Sequence, residues 1–369
     1  QAHADRMTRL ACLGLAALRL LLPASAADPS ADGALDQYFR AESARLASRT
    51  EERLRTLISP TDRAAAREEL RRELLDMLGL WPLPERTDLR ATVTGTIEGD
   101  GFLVERLHFQ SLPGLYVTAN LYRPRTQEGR LPGVLYVCGH AQVVTNGISC
   151  GNKTAYQHHG IWFARHGYVC LMIDTLQLGE IQGVHHGTYR FGQWWWNSRG
   201  YTPAGVEAWN SIRALDYLQS RPEVDPHRLG MTGRSGGGSY TWTTAAVDDR
   251  VTAAAPVAGI TDLEDQVVHG VVEGHCDCMF FLNTHRWDFG AVLALVAPRP
   301  LLVVNTDADP IFPLAGVQRL HAQVRPLYAA LGVSTNLGLV IAPGGHVDTQ
   351  DLQVPVFRWF NQHLRGVDP

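Results

Sequence analysis

Six short, predominantly apolar runs constrain this chain more than any other feature. They are Val134–Val137, Tyr168–Ile173, Leu229–Thr232, Ala253–Val257, Leu301–Val304 and Leu339–Ile341. A strand with one wet face alternates apolar and polar residues, whereas a strand apolar throughout must be covered on both faces. Helical spacings between the runs, such as Ala208, Ile212 and Leu215, supply the cover. The expectation is an α/β architecture with a mostly parallel sheet between helical layers. Alternating stretches from Ala91 to Thr96 and from Val104 to Tyr122 predict antiparallel strands at its start. Such sheets bind ligands beyond the carboxyl ends of their strands. Functional residues should therefore follow strands directly.

The most informative such position is Gly233-Arg234-Ser235-Gly236-Gly237-Gly238, which follows the run Arg228–Thr232 and precedes a helical segment. G-x-S-x-G between strand and helix is the setting of a nucleophile elbow. A plain glycine-rich turn is the bland alternative, but it would not require partners further along the chain. A serine hydroxyl is a poor nucleophile without a base. Of the 15 histidines, His346 follows the last apolar run on a glycine loop, Ala342-Pro343-Gly344-Gly345-His346, that lets an imidazole reach back to Ser235. The acid should come from a strand between them. Both Asp307 and Asp309 follow Leu301–Val304; Asp309, deeper in the loop, is favoured, and Asp307 reads as a turn former. Oxyanion donors are expected from the N–H groups of Gly236, just after the nucleophile, and His140, in Val137-Cys138-Gly139-His140.

From about Trp81 onward these residues resemble the acetylxylan esterase-like group of bacterial α/β-hydrolases, related to carbohydrate deacetylases and more distantly to prolyl oligopeptidases. The likeness lies in Arg221–Asp225 with the Gly233–Gly238 elbow, Ala297–Leu302 before the acid loop, and Gly344-Gly345-His346. It implies the α/β-hydrolase fold, the triad Ser235, Asp309 and His346, and hydrolysis of acetyl or similar esters on plant polysaccharide. One departure concerns the oxyanion loop, where Cys138-Gly139-His140 stands in place of the group's His-Gly.

Two inserts after strand ends are rich in side chains that could meet a sugar-bearing ester. Glu180, Trp194, Trp195 and Arg199 come from the first, and His275 and Trp287 from the second. Aromatic faces beside charged groups suit stacking and hydrogen bonding to a carbohydrate, and Arg199 would suit a carboxylate. A tryptophan buried in a lid core is the plain alternative for any of them. His158, His159, His185, His186, His275, Cys276 and Cys278 contain metal-ligand chemistry, yet show neither C-x-x-C nor H-E-x-x-H spacing. No metal and no cofactor is expected.

Around this region the chain divides into three parts. Arg6 and Arg9, the apolar run Leu10–Leu22 and Ala24-Ser25-Ala26 describe a signal peptide over 1–26, hence a secreted or periplasmic protein. Residues 27–84 read as a helical extension, with Thr61 capping a helix whose Leu70, Leu74 and Leu78 share a face and whose end is Gly79. Residues 85–369 form the catalytic domain. No later run is long enough to span a membrane. The net charge of -4 offers no basic surface for nucleic acid. Of 6 cysteines, Cys12 falls in the signal segment, and among Cys138, Cys150, Cys170, Cys276 and Cys278 one disulfide of open pairing is plausible in an oxidising compartment; Cys138 and Cys170 fall in strand-like runs and read as small buried hydrophobes.

Four readings of function follow. The first is a serine ester hydrolase acting on acetyl esters, with glucuronoyl or feruloyl esters as alternatives. The second is a serine peptidase of the prolyl oligopeptidase type, although no propeller is recognisable. A metal-dependent hydrolase would use the His/Cys cluster. A carbohydrate-binding protein would rest on the tryptophans alone.

Overall fold

The computed structural model describes residues 29–367, apart from 186, 188–190, 272–278 and 280. The expected signal segment, His186, His275, Cys276 and Cys278 therefore lie outside the described residues. Contacts divide the chain into two compact units, one ending at Glu42 and one running from Ser43 to Pro369. The first holds the start of helix α1 (Pro29–Ile58), where Leu35 and Tyr38 are exposed. Everything below concerns the second.

Among the described residues, the main sheet has nine strands. In chain order these are β1 (Thr92–Glu98), β2 (Phe102–Leu112), β3 (Leu115–Pro124), β4 (Leu131–Val137), β7 (Val169–Ile173), β8 (Val224–Arg234), β9 (Val251–Val257), β10 (Leu301–Thr306) and β11 (Leu337–Ala342). A two-strand ribbon, β5 (Val144–Thr145) with β6 (Ile148–Ser149), stands apart. The spatial order is β1-β2-β3-β7-β4-β8-β9-β10-β11. The pairs from β1 to β7 are antiparallel, and those from β7 to β11 are parallel. The six apolar runs are the six parallel strands. The stretch 104–122 splits at Pro113-Gly114 into the hairpin β2–β3.

The reason for their uniform apolarity is visible in β7. Val169, Leu171 and Ile173 join one core, while Cys170 and Met172 join another on the opposite face. The first core is covered by α2 (Arg63–Leu78), α4 (Pro203–Ser220), α5 (Gly236–Val247), α6 (Gly290–Val296) and α7 (Leu314–Ala330), and the second by α3 (Gln157–Arg165) and α8 (Gln350–Phe360). Leu70, Leu74 and Leu78 of α2 are all buried, and Gly79 closes that helix at φ 74. The cap position belongs to Asp62 instead of Thr61; the Thr61 hydroxyl donates to the Asp62 carboxylate. Cys138, Cys150 and Cys170 are free thiols, and burial pushes the Cys138 and Cys170 thiols well above their ordinary range. Among the described residues no helix is long and apolar enough to cross a membrane.

Candidate active site

Ser235 occupies the sharp turn between β8 and α5 at φ 59, ψ -122. A non-glycine residue in such a conformation costs roughly 1–3 kcal/mol and persists only where its surroundings hold it. Here the Ser235 N–H donates to the Val257 carbonyl at 2.9 Å, which binds the turn to the end of β9. The glycines that follow permit that closeness. A Cβ on Gly237 would stand 2.0 Å from the Val137 carbonyl oxygen, and one on Gly238 2.6 Å from that of Val257. The elbow is thus wedged between the ends of β4 and β9.

The loop after β11 brings His346 to it. His346 Nε2 lies 3.0 Å from Ser235 Oγ, and His346 Nδ1 lies 2.7 Å from Asp309 Oδ2. The carboxylate accepts, so Nδ1 carries the proton and Nε2 is left to accept a hydrogen bond from the Ser235 hydroxyl. The other Asp309 oxygen accepts from the N–H groups of Ile311 and Phe312 at 2.8 and 3.1 Å. Burial alone would raise the Asp309 carboxyl, but its bond and charge interaction with His346 and those two N–H groups outweigh it. Its pKa lies below the ordinary value. Asp307 is held elsewhere: its Oδ1 accepts from the Gly344 N–H at 2.9 Å and ties down the glycine loop. Arg234, beside Ser235, donates to the Val347 carbonyl at 3.1 Å and links the elbow to the same loop.

Gly236 is the first residue of α5, so its N–H belongs to the unpaired donors of a helix start. His140 follows β4, with its ring edge against Gly236. Its Nε2 is 2.7 Å from His185 Nε2, and His185 Nδ1 is 3.1 Å from the Leu176 carbonyl. Since a carbonyl only accepts, the proton of neutral His185 is on Nδ1 and its Nε2 receives the His140 N–H. A residue the sequence reasoning missed controls the adjoining peptide. Asn152, fully buried, donates from Nδ2 to the Gly139 carbonyl at 2.7 Å, and its Oδ1 accepts from the Thr175 N–H at 3.0 Å. In a trans peptide the carbonyl and N–H point opposite ways. Anchoring Gly139 O therefore turns the His140 N–H away from Asn152. Nothing in the sequence around Asn152 signals this role.

The substrate-side residues divide. Trp287 is a correction. It is 1% exposed, its Nε1 donates to Glu73 Oε2 at 2.8 Å, and Arg53 lies 5.6 Å above its ring, so it belongs to the packing of α2 and is closed to a substrate. Glu180 accepts from Lys153 Nζ at 2.5 Å, and the same ammonium meets Asp174 Oδ2 at 2.6 Å. Lys153 is fully buried, so these two carboxylates replace the water its amine has lost. Trp194 and Trp195 are 60% and 44% exposed, and Arg199 is exposed too. Their neighbour Trp196 instead lines a cleft of about 280 Å³ with Tyr116, Thr118, Gln177, Gln182 and Asn210. Asn210 is 3% exposed, and its Oδ1 has no partner among the described residues.

Residues 155–364, more than half of the chain, match the family described as the Prolyl oligopeptidase family. The chain belongs to that family. With the sheet order above, it is a hydrolase of the α/β-hydrolase superfamily, as the sequence resemblance implied. This family member is 26% identical to the "Putative hydrolase YtaP" of Bacillus subtilis over 309 residues, 81% of this chain and 100% of that one. It is 29% identical to the 4-O-methyl-glucuronoyl methylesterase of Neurospora crassa over 157 residues, 37% of this chain and 39% of the relative. Among solved structures, Methylesterase BT1017 superposes with a TM-score of 0.59 at 25% identity, covering 92% of this chain and 69% of the other.

Proposed function

We propose that this hydrolase is a serine carboxylic ester hydrolase acting on carbohydrate-borne esters. The observation that carries the reading is the unbroken chain of hydrogen bonds from Ser235 through His346 to Asp309. Ser235 Oγ attacks the ester carbonyl carbon while His346 Nε2 takes its proton. The carbonyl oxygen becomes an oxyanion between the N–H groups of Gly236 and His140. The C–O bond then breaks, the alcohol leaves with the proton from His346, and an acyl-Ser235 remains. Water, deprotonated by the same imidazole, releases the acid and restores the serine. Asp309 stays ionised and holds the tautomer. Nothing in this sequence of steps calls on a cofactor.

Two observations support a sugar-bearing substrate. The cleft beside the carboxyl ends of β3's partners offers Trp196 and Tyr116 as apolar faces and Asn210 Oδ1 as an acceptor without a donor, a combination suited to a hydroxylated ring. The named relatives with a stated activity are methylesterases, one of them glucuronoyl. An ester of a uronic acid, in which the sugar supplies the acyl carbon, is therefore the preferred substrate. The acetyl ester expected from sequence becomes the second reading, carried by the resemblance to acetylxylan esterases. Export through the segment 1–26 would bring such an enzyme to polysaccharide outside the cell.

An organophosphonate should label Ser235 covalently and leave Ser235→Ala unlabelled; failure to label the folded wild type would refute the mechanism. Methyl uronate esters should be hydrolysed with higher kcat/KM than acetylated xylo-oligosaccharides. Preference for the acetylated sugars would establish the second reading, and cleavage of peptide anilides with no esterase activity would replace both by a peptidase.

A further inference from the structure

Successive side chains on a helix point about 100° apart, so neighbours seldom meet one target. His158 and His159 of α3 do so. His159 Nε2 lies 3.0 Å from Asp348 Oδ2, and His158 Nε2 lies 3.5 Å from the same oxygen. All three ligand atoms fall within 4.8 Å of one another. Imidazole and carboxylate donors bind tetrahedral zinc at about 2.0–2.1 Å, a geometry that sets neighbouring donors about 3.3 Å apart. The two measured separations bracket that spacing.

The surroundings suit a bound ion in three further respects. His159 is buried and held between the rings of Tyr136 and Phe357, at 4.7 and 5.9 Å, so half of the site is rigid. His158 is half exposed, which leaves a path of entry. The Gln353 amide lies 3.2 Å from His158 Nε2 and 3.1 Å from Asp348 Oδ1, and turning it end for end would present its oxygen as a fourth donor. Beside these residues a small cavity is also lined by Tyr136, whose buried hydroxyl has no partner among the described residues.

We propose that His158, His159 and Asp348 form a site for zinc or a similar divalent transition ion. Two imidazoles favour such an ion over magnesium or calcium, which prefer oxygen donors. Asp348 stands two residues beyond His346, so the ion would fasten the loop carrying His346 to α3. Its role is structural: it holds the position of the loop, and no bond of the ester reaction is made on it. The proposal is independent of which ester the enzyme cleaves.

The test uses the full chain, stripped with chelator and dialysed against zinc, with bound metal counted by mass spectrometry. Wild type should retain one zinc per chain and unfold at a higher temperature with zinc than without. His158→Ala, at a half-exposed position that tolerates truncation, should weaken zinc binding by at least about a hundredfold and abolish the thermal shift. Asp348→Asn should do the same. In cobalt-substituted wild type, the intense visible absorption of a tetrahedral ion should appear, and it should be lost in His158→Ala. Circular dichroism confirms that each variant is folded. Absence of micromolar zinc binding by wild type would overturn the proposal. So would zinc bound equally well by His158→Ala, because the metal would then sit on other ligands such as His275, Cys276 or Cys278.

Discussion

Replacing Asp309 by asparagine tests the proposed mechanism at its least visible member and also decides between the two aspartates of the acid loop. The carboxylate divides its work: Oδ1 accepts two backbone N–H groups, from Ile311 and Phe312, and Oδ2 accepts His346 Nδ1–H. An asparagine must keep its single oxygen toward the two backbone donors, since its NH₂ group cannot accept from them. Its NH₂ then faces His346 Nδ1. The imidazole can meet that donor only by moving its own proton to Nε2, the nitrogen that must accept from Ser235. The base is thereby lost while the packing is retained. A wrong tautomer of this kind costs about ten-thousandfold in kcat, equivalent to about 5.5 kcal/mol of barrier. Asp307→Asn keeps an oxygen for the Gly344 N–H and should change kcat by less than about threefold. The assay is steady-state hydrolysis of p-nitrophenyl acetate, with phosphonate labelling of Ser235 as a second measure of the base. Retention of more than about a tenth of wild-type kcat by Asp309→Asn would refute the tautomer argument. A larger loss in Asp307→Asn than in Asp309→Asn would move the acid to Asp307.

Three further substitutions probe the frame around the site. Burial, helped by the nearby Asp262, raises the Asp288 carboxyl from 3.8 to about 6. Between about pH 4 and pH 6 the unfolded chain has given up this proton while the folded one retains it, so stability falls as pH rises through that window and stays lower above it. Asp288→Asn removes the penalty and preserves acceptors for the Leu263 and Phe289 N–H groups; urea titration should find it more stable than wild type by about 2–3 kcal/mol above the window and equal to it below. A gain that persists at low pH would contradict the assignment. Trp287→Phe loses the bond to Glu73 and part of a buried ring, and should lower stability by about 1–3 kcal/mol with KM within about twofold of wild type; a large KM effect would return Trp287 to the substrate. Lys153→Met leaves the Asp174 carboxylate buried without its cation and should cost about 3–5 kcal/mol in thermal or urea unfolding. A neutral result would refute the dependence of the buried Asp174 on that cation.

The features legible in the sequence share one property: their cause is local. A strand buried on both faces must be apolar along its buried stretch, so β4 and β7–β10 stand out without reference to neighbours, and the apolar run of the half-buried edge strand β11 stands out with them. A serine at positive φ needs small residues beside it, and Gly236–Gly238 record that need within four positions. His346 is legible because the glycines that let it swing lie immediately before it. The place of Trp287 is illegible for the complementary reason. Its environment is made by Arg53 and Glu73, more than two hundred residues earlier, and nothing near Trp287 encodes whether an indole at the end of that insert will face a cleft or a helix. Asn152 and Lys153 are hidden in the same way, since each acquires meaning only when β4 and β7 become neighbours and bring Gly139 and Asp174 within reach. The convergence of His158 and His159 on Asp348 spans about 190 positions and likewise has no local mark. Local signals thus mark candidate reacting groups where one strains its own backbone, as Ser235 does, or needs glycines beside it, as His346 does. Groups that position them leave no such mark, and only the assembled sheet reveals which they are.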